Sequence, residues 1–360
     1  MNIQHNTQTP GSGQSVKVML VEDSAAIRAI IKQILRGCPE IELTGTACDG
    51  RQAVDNVERL DPDVIILDIE MPVMDGIAAL PLLLEKKKNA KVIICSTLSD
   101  HGADISLKAL SMGASECILK PTGADALRGN NSFSETLIRT VLSLGREKIR
   151  RKTGLPATPV EIKYAPSKLT SKPGILAIGS STGGPNALLK VLSGLNNLGV
   201  PIVITQHMPP KFTKLLADQI AKVTGIECFE GENGMKIRDN CIYVAPGGYH
   251  MLLVKEGMET VIKLSEEPPE NFCRPSVDPM LRSLIKLYGS RIYTVILTGM
   301  GNDGLIGSKQ VVEAGGHVIA QDEASSVVWG MPKAVAEAGI CSAILPDEKI
   351  TAHILDVFKK

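Results

Sequence analysis

The apolar positions of this chain fall into short strand-like runs separated by helical stripes. From Val16 onward, VKVMLVE, LTGTA, DVIILD, KVIICS and ECILK are runs of β-branched and aliphatic residues, the pattern of strands buried on both faces. After the first of them, Ile27, Ile30, Ile31, Ile34 and Leu35 keep the i, i+3, i+4, i+7, i+8 spacing that lays an apolar stripe along one helix face. Ser24 is placed to cap that helix, and Gly37 to stop it as a C′ glycine. Five such strands alternating with helices predict a doubly wound parallel sheet over residues 16–133.

A second block begins at residue 174. GILAIG, VPIVITQH, CIYVAP, YTVILTG and HVIAQD repeat the buried-strand pattern, and GPNALLKVLSGL, KFTKLLADQIAKV, DPMLRSLIKLYG and LIGSKQVVEAGG read as helices. HMLLVKEGMETVIKLS predicts an antiparallel hairpin turning at Glu256–Glu259. Residues 174–360 are therefore expected to form a larger, mostly parallel α/β domain carrying a β-hairpin. Between the blocks, residues 134–173 read as a helix end and a linker. Periodicity stops near Gly145, and REKIRRK, TGLPATP and YAPSK are rich in Pro, Ser and charge. Residues 1–15 read as a polar, disordered leader.

Composition narrows the function classes. Apolar residues make up 44% of the 360 and aromatic residues only 3%, so the cores must be aliphatic. Lys+Arg and Asp+Glu balance at 39 each, which gives no electrostatic case for nucleic acid. No apolar run is long enough to span a bilayer, and the N-terminus has no signal-peptide core. The eight cysteines include no CxxC pair. Reduced thiols in a cytoplasmic protein are the expectation.

The candidate chemistry sits at strand ends. Glu22 and Asp23 close the first strand, Asp68 the third, Ser96 the fourth and Lys120 the fifth. Parallel strands share one C-terminal edge, where ligands bind. Three carboxylates there call for a cation, and an all-oxygen, partly open site suits Mg²⁺. With Lys120 and the cation neutralising phosphoryl oxygens, Asp68 can act as the nucleophile and Ser96 can hydrogen-bond the product. VEDS, LDIEMPVMDG, CST and LKP resemble the response-regulator receiver family. That resemblance implies a flavodoxin-like fold, phosphorylation of Asp68 by a histidine kinase, and Mg²⁺ held by Glu22, Asp23, Asp68 and the Glu70 carbonyl. It also makes Ser96 the switch hydroxyl.

In the second block, AIGSSTGGP runs from a strand into a helix and suits a phosphate loop or a serine nucleophile at a helix N-terminus. His207, in VITQHMPP, is the one histidine expected just past a parallel strand end. Gly299, Gly301 and Gly304 in LTGMGNDG match a dinucleotide fingerprint literally. However, they come late in the domain and enclose Asp303, whose charge opposes a pyrophosphate and suits the partner of His207. Ser180, Ser181 and Thr182 all remain open as the nucleophile on this reading. IGSSTGGP, QHMPP, YVAPGGYH, FCRPSVDPM and TGMGNDG resemble the catalytic domain of the CheB-type chemotaxis methylesterases. That resemblance implies Ser181 as nucleophile, His207 as base, Asp303 as its orienting group and Met300 beside the oxyanion. Lys211, after MPP, departs from the small residue expected there.

The expected function is a phosphorylation-activated hydrolase. It would remove γ-methyl groups from glutamates of methyl-accepting chemoreceptors, and the resemblance adds deamidation of glutamines. Backbone donors near Gly183 and Gly184 would hold the oxyanion, and the esterase domain needs no cofactor. A chemotaxis histidine kinase would be the phosphodonor, the unphosphorylated receiver would cover the Ser181 cleft, and neither nucleic-acid binding nor direct membrane insertion is expected. A receptor-binding adaptor or phosphate sink without hydrolase activity is the alternative. Ser276 is expected to cap the helix that follows it, and Arg274 to bind either structure or an acidic receptor surface.

Overall fold

The computed structural model describes residues 15–97, 99–121, 131–153, 172–195 and 197–359. The leader, apart from Ser15, lies outside them. The chain forms two compact units, one carrying a five-stranded sheet and the other a seven-stranded sheet.

The first sheet has the order β2-β1-β3-β4-β5, with β1 Val16–Val21, β2 Ile41–Ala47, β3 Val64–Asp68, β4 Lys91–Ser96 and β5 Glu116–Leu119. The ladders of β1 with β2, β1 with β3 and β3 with β4 are all parallel. Every residue of β3 is buried, as its unbroken apolar run requires. Helices α1 Ala25–Arg36, α2 Gly50–Leu60, α3 Gly76–Lys86 and α4 Asp100–Ser111 alternate with the strands. Ser24 caps α1 by accepting from the Ile27 amide. Gly37 closes α1 in right-handed backbone, φ −69°, not as the left-handed C′ glycine expected. Its N–H reaches back to the Gln33 and Ile34 carbonyls, so the helix tightens at its end instead of reversing.

Helix α5 spans Asn131–Thr153 and so runs through the first part of the segment read as linker. Its last turns, REKIRRK, are good helix formers. A helix can continue on such residues without an apolar stripe, which is why periodicity ended early. Residues 154–171, the remainder of the expected linker, lie outside the described residues.

The second sheet runs β14-β13-β12-β6-β7-β9-β8 and is parallel throughout. Its strands are β6 Ile175–Ser180, β7 Ile202–Gln206, β8 Cys228–Glu230, β9 Ile242–Val244, β12 Ile292–Ile296, β13 His317–Gln321 and β14 Ala343–Leu345. β10 His250–Glu256 and β11 Glu259–Ser265 form the expected hairpin, with Glu256 opposite Glu259. Helices α6 Gly184–Leu192, α7 Phe212–Thr224, α8 Val277–Tyr288, α9 Leu305–Glu313, α10 Met331–Glu337 and α11 Asp347–Lys359 complete the unit. Alternate residues of β6 and β7 serve opposite cores. Leu176, Ile178, Ile202 and Ile204 face one, while Ile175, Ala177 and Val203 face the other. Chain order reverses between β6 and β12. Such a switch point opens a crevice at the strand C-termini.

Candidate functional site

In the first unit, Asp68 ends β3 and Glu22 follows β1; both are buried. Ligand oxygens of Glu22, Asp23 and Asp68 lie within 4.8 Å of one another. Lys120 Nζ stands 2.7 Å from Asp68 Oδ2 and 3.1 Å from Glu22 Oε2. Those two oxygens are at ion-pair distance but off hydrogen-bond geometry, and each is left buried without a hydrogen-bond partner. Burial raises the Asp68 carboxyl, against the opposing pull of Lys120. Burial also raises Glu22, reinforced by the charge on Asp68. Orphaned oxygens on crowded, reluctant acids fit a hard divalent cation. Ser96 turns its hydroxyl to the Gly102 carbonyl at 3.1 Å. The Glu70 amide donates to Asp68 Oδ1 at 3.3 Å. Gly76 lets the loop fold back onto the acceptor, because a Cβ there would collide with the Asp68 carbonyl oxygen.

In the second unit, His207 and Asp303 meet as expected, with His207 Nε2 2.7 Å from Asp303 Oδ2. Asp303 is buried and accepts from several other groups. The Val277 amide donates to Oδ2 at 2.6 Å. Ser276 Oγ donates to Oδ1 at 2.7 Å, as do Asn271 Nδ2 at 2.9 Å and the Gly304 and Asp278 amides at 2.9 and 3.2 Å. The carboxylate thus sits on the N-terminus of α8, where free amides and the helix dipole favour an anion. Burial pushes Asp303 up, but His207 and these donors hold it down at about 2. Burial likewise pushes the His207 imidazole down. The Cys273 sulfur beside it and the Asp303 carboxylate outweigh that and raise it to about 10. Each partner thus favours the charged form of the other, an imidazolium beside a carboxylate.

Three hydroxyls follow one another at the end of β6, and the structure separates them. Ser180 is fully buried and donates to Gln206 Oε1 at 2.6 Å. Thr182 is buried too. Ser181 alone of the three is partly exposed. Its backbone is clamped, the amide donating to the Thr298 carbonyl and the carbonyl accepting from Gln206 Nε2. The His207 amide bonds the Ser180 carbonyl at 3.1 Å, which fixes the two strand ends side by side.

With this geometry in view, comparison with known proteins is decisive. Residues 176–354 match the CheB methylesterase family model, and residues 18–130 match the response regulator receiver domain. The protein-glutamate methylesterase/protein-glutamine glutaminase 1 of Rhodospirillum rubrum is 45% identical over 95% of both chains. The protein of the same name from Paramagnetospirillum magneticum is 47% identical, covering 95% of this chain and 96% of its own. The chain belongs to the CheB methylesterase family. The solved catalytic domain of Thermotoga maritima CheB methylesterase covers 52% of this chain and 100% of its own length, with 39% identity and a TM-score of 0.51.

Some expectations for this methylesterase-family chain change in detail. Gly184 is not a free oxyanion donor, because its amide bonds the Ser181 carbonyl at 2.7 Å. It is glycine for space, since a Cβ would strike Gln206 Oε1. Gly183 takes φ +77° at the entry to α6. Met300 is half-buried in the loop after β12, and that loop is pinned by the Gly330 and Met331 amides on the Gly299 carbonyl. The apparent dinucleotide fingerprint has a backbone cause. Gly301 and Gly304 have φ +82° and +86°, and a Cβ on Gly299 would press on Ser181. Ser276 stands at the N-cap of α8 but spends its hydroxyl on Asp303, so the side-chain cap expected is absent. The guanidinium of Arg274 donates to the Glu266 and Glu267 carbonyls, which is the structural one of its two readings. Lys211 takes φ +73°, where a glycine would be unstrained.

Sequence reasoning missed Asn271, Gln206, Cys273 and His250 as parts of the site. His250 opens a strand. It does so in the hairpin, yet its Nδ1 accepts the Ser276 amide at 3.2 Å and so braces the residue that braces Asp303. Gln206 carried one legible signal, its position beside His207. Among the described residues no helix is long and apolar enough to cross a membrane.

Proposed function

We propose that this chain is a phosphorylation-controlled protein-glutamate methylesterase and protein-glutamine glutaminase, acting through Ser181, His207 and Asp303 on chemoreceptor segments. The buried His207–Asp303 pair beside a partly exposed Ser181, at the switch point of a parallel sheet, carries this reading. Nε2 of His207 is taken by Asp303, which leaves Nδ1 for the serine proton. Ser181 Oγ attacks the ester carbonyl as His207 accepts its proton. The carbon–oxygen bond to the methoxy group breaks, and methanol leaves with that proton. Water, deprotonated by the same imidazole, then releases the γ-carboxylate. With a glutamine substrate the leaving group is ammonia. Asp303 keeps the ring oriented and stabilises the imidazolium. Backbone amides around Met300 and Gly183 are assigned to the oxyanion, since that of Gly184 is taken.

In the receiver, Glu22, Asp23, Asp68 and the Glu70 carbonyl would hold Mg²⁺, which supplies charge neutralisation for the incoming phosphoryl group. Asp68 accepts that group from a histidine kinase, Lys120 pairs with its oxygens, and Ser96 is the hydroxyl that responds. Methanol release from methylated receptor membranes, with and without a small phosphodonor, tests the whole. The wild-type chain should release methanol faster with the donor, and Ser181→Ala should release none in either case. Release that survives Ser181→Ala rejects the mechanism.

A further inference from the structure

The turn Glu270–Cys273 has no part in the mechanism above, yet it is built against the site. Its two ends bond each other, Glu270 N–H to the Cys273 carbonyl at 3.2 Å and Cys273 N–H to the Glu270 carbonyl at 2.9 Å. Glu270 is also tied to the Arg282 guanidinium on α8. The two middle residues, Asn271 and Phe272, both take left-handed backbone, φ +53° and +64°. Asparagine tolerates that region, whereas a bulky aromatic residue is strained there. A residue held in strain persists only where its surroundings impose it. Here they do. Asn271 Nδ2 is held by Asp303 Oδ1 at 2.9 Å and Asp278 Oδ2 at 3.0 Å, both on buried carboxylates.

The product of this strain is a ring left in water. Phe272 is 87% exposed. A single exposed apolar residue is ordinary on a surface. This one differs in being fixed there by its two neighbours. Asn271 bonds Asp303, and Cys273 is held by its backbone bonds to Glu270. The backbone that carries the ring is therefore held beside Asp303.

We infer that Phe272 is a specificity-determining residue of the esterase site, a fixed aromatic anchor that packs against an aliphatic side chain of the protein substrate next to the glutamate ester. This rests on the methylesterase reading and goes beyond it, since a small ester lacks the part that the ring would grip. A side chain whose backbone is already fixed has less freedom to lose on binding, and an aromatic one has only two side-chain torsions to order.

The test is steady-state kinetics of the full-length protein on methylated receptor membranes, with phosphodonor present. Phe272→Ala should raise KM by about fivefold to tenfold, the worth of one aromatic contact, with kcat held within about twofold. Phe272→Tyr should restore KM. Phe272→Gly should raise KM in the same way while melting no lower than wild type, because glycine relieves the left-handed strain. An unchanged KM in Phe272→Ala, or a fall in kcat without a change in KM, overturns the inference. Loss of all activity in the wild type would instead strike the esterase reading on which it rests.

Discussion

At the residue scale, the proposed mechanism depends on His207 giving up a proton that its surroundings favour. A base must be neutral to accept the serine proton, and this imidazole is raised to about 10. Methanol release should therefore climb as pH rises from neutral into the alkaline range. Cys273 contributes to that hold, so Cys273→Ala should move the climbing limb of the kcat/KM profile to lower pH. An unmoved limb would show that the sulfur does not act on the ring. Asp303→Asn keeps the shape and removes the charge, and kcat should drop by about ten-thousandfold, as when such an orienting acid is lost elsewhere. The same groups set a stability window. Raised above its unfolded value of 6.5, His207 stabilises the fold fully below that pH, and this is lost as pH rises through about 10. Asp303, lowered from 3.8, contributes above 3.8, and this is lost as pH falls through about 2. The melting temperature of the esterase unit should accordingly be highest between these limits and fall on either side.

At the scale of elements, what the sequence made legible and what it hid have a common cause. Long buried strands such as β1, β3, β6 and β12 announce themselves because nearly every position is apolar, and their C-terminal polar residues stand out by contrast. Asp68 and His207 stand out in that way and Asp303 by its place in the glycine loop after β12, whereas the pattern leaves Ser180, Ser181 and Thr182 open and only the family resemblance singles out Ser181. β8 and β14 have three residues each, too few for a period to register, and both lie at sheet edges. Asn271, and the bond of Ser276 to Asp303, escaped for another reason. Their roles come from long-range approach of the segment before α8 to Asp303, which no local pattern encodes. The glycines of the two active loops carry the same lesson in backbone terms. Gly304 has φ +86°, and a Cβ on it would lie 3.1 Å from both Val277 and Ile296. Gly304→Ala should cost about 1–3 kcal/mol in urea-melt stability. It should lower activity more than stability alone explains, because the Gly304 amide is one of the donors to Asp303. An alanine variant as stable and active as wild type would refute this account of the loop.

At the scale of the whole molecule, two sites of the same architectural kind lie on one chain, each at the C-terminal edge of a parallel sheet. At the first, protons would compete with the Mg²⁺ proposed above. Glu22 and Asp68 are raised by burial, and Glu22 further by their mutual repulsion. Mg²⁺ binding should therefore weaken on acidification at a higher pH than ordinary exposed carboxylates would give, and Asp68→Asn should abolish both phosphorylation and the gain in methanol release. The coupling between the sites can be tested by removing the receiver, provided the cut respects the helix. Helix α5 continues to Thr153, so a truncation at residue 145 would sever it, whereas one beginning at Pro156 leaves it out cleanly. The solved catalytic domain of the Thermotoga maritima relative matches the second half of the chain across its entire length, which supports an independently folded esterase. If the unphosphorylated receiver restrains Ser181 by covering it, the truncated chain should release methanol faster than the unphosphorylated full-length protein and show no further response to phosphodonor. A truncated chain that folds, as judged by its melting transition, yet is no faster would rule out restraint. Phosphorylation of Asp68 would then have to act by improving the esterase, not by freeing it.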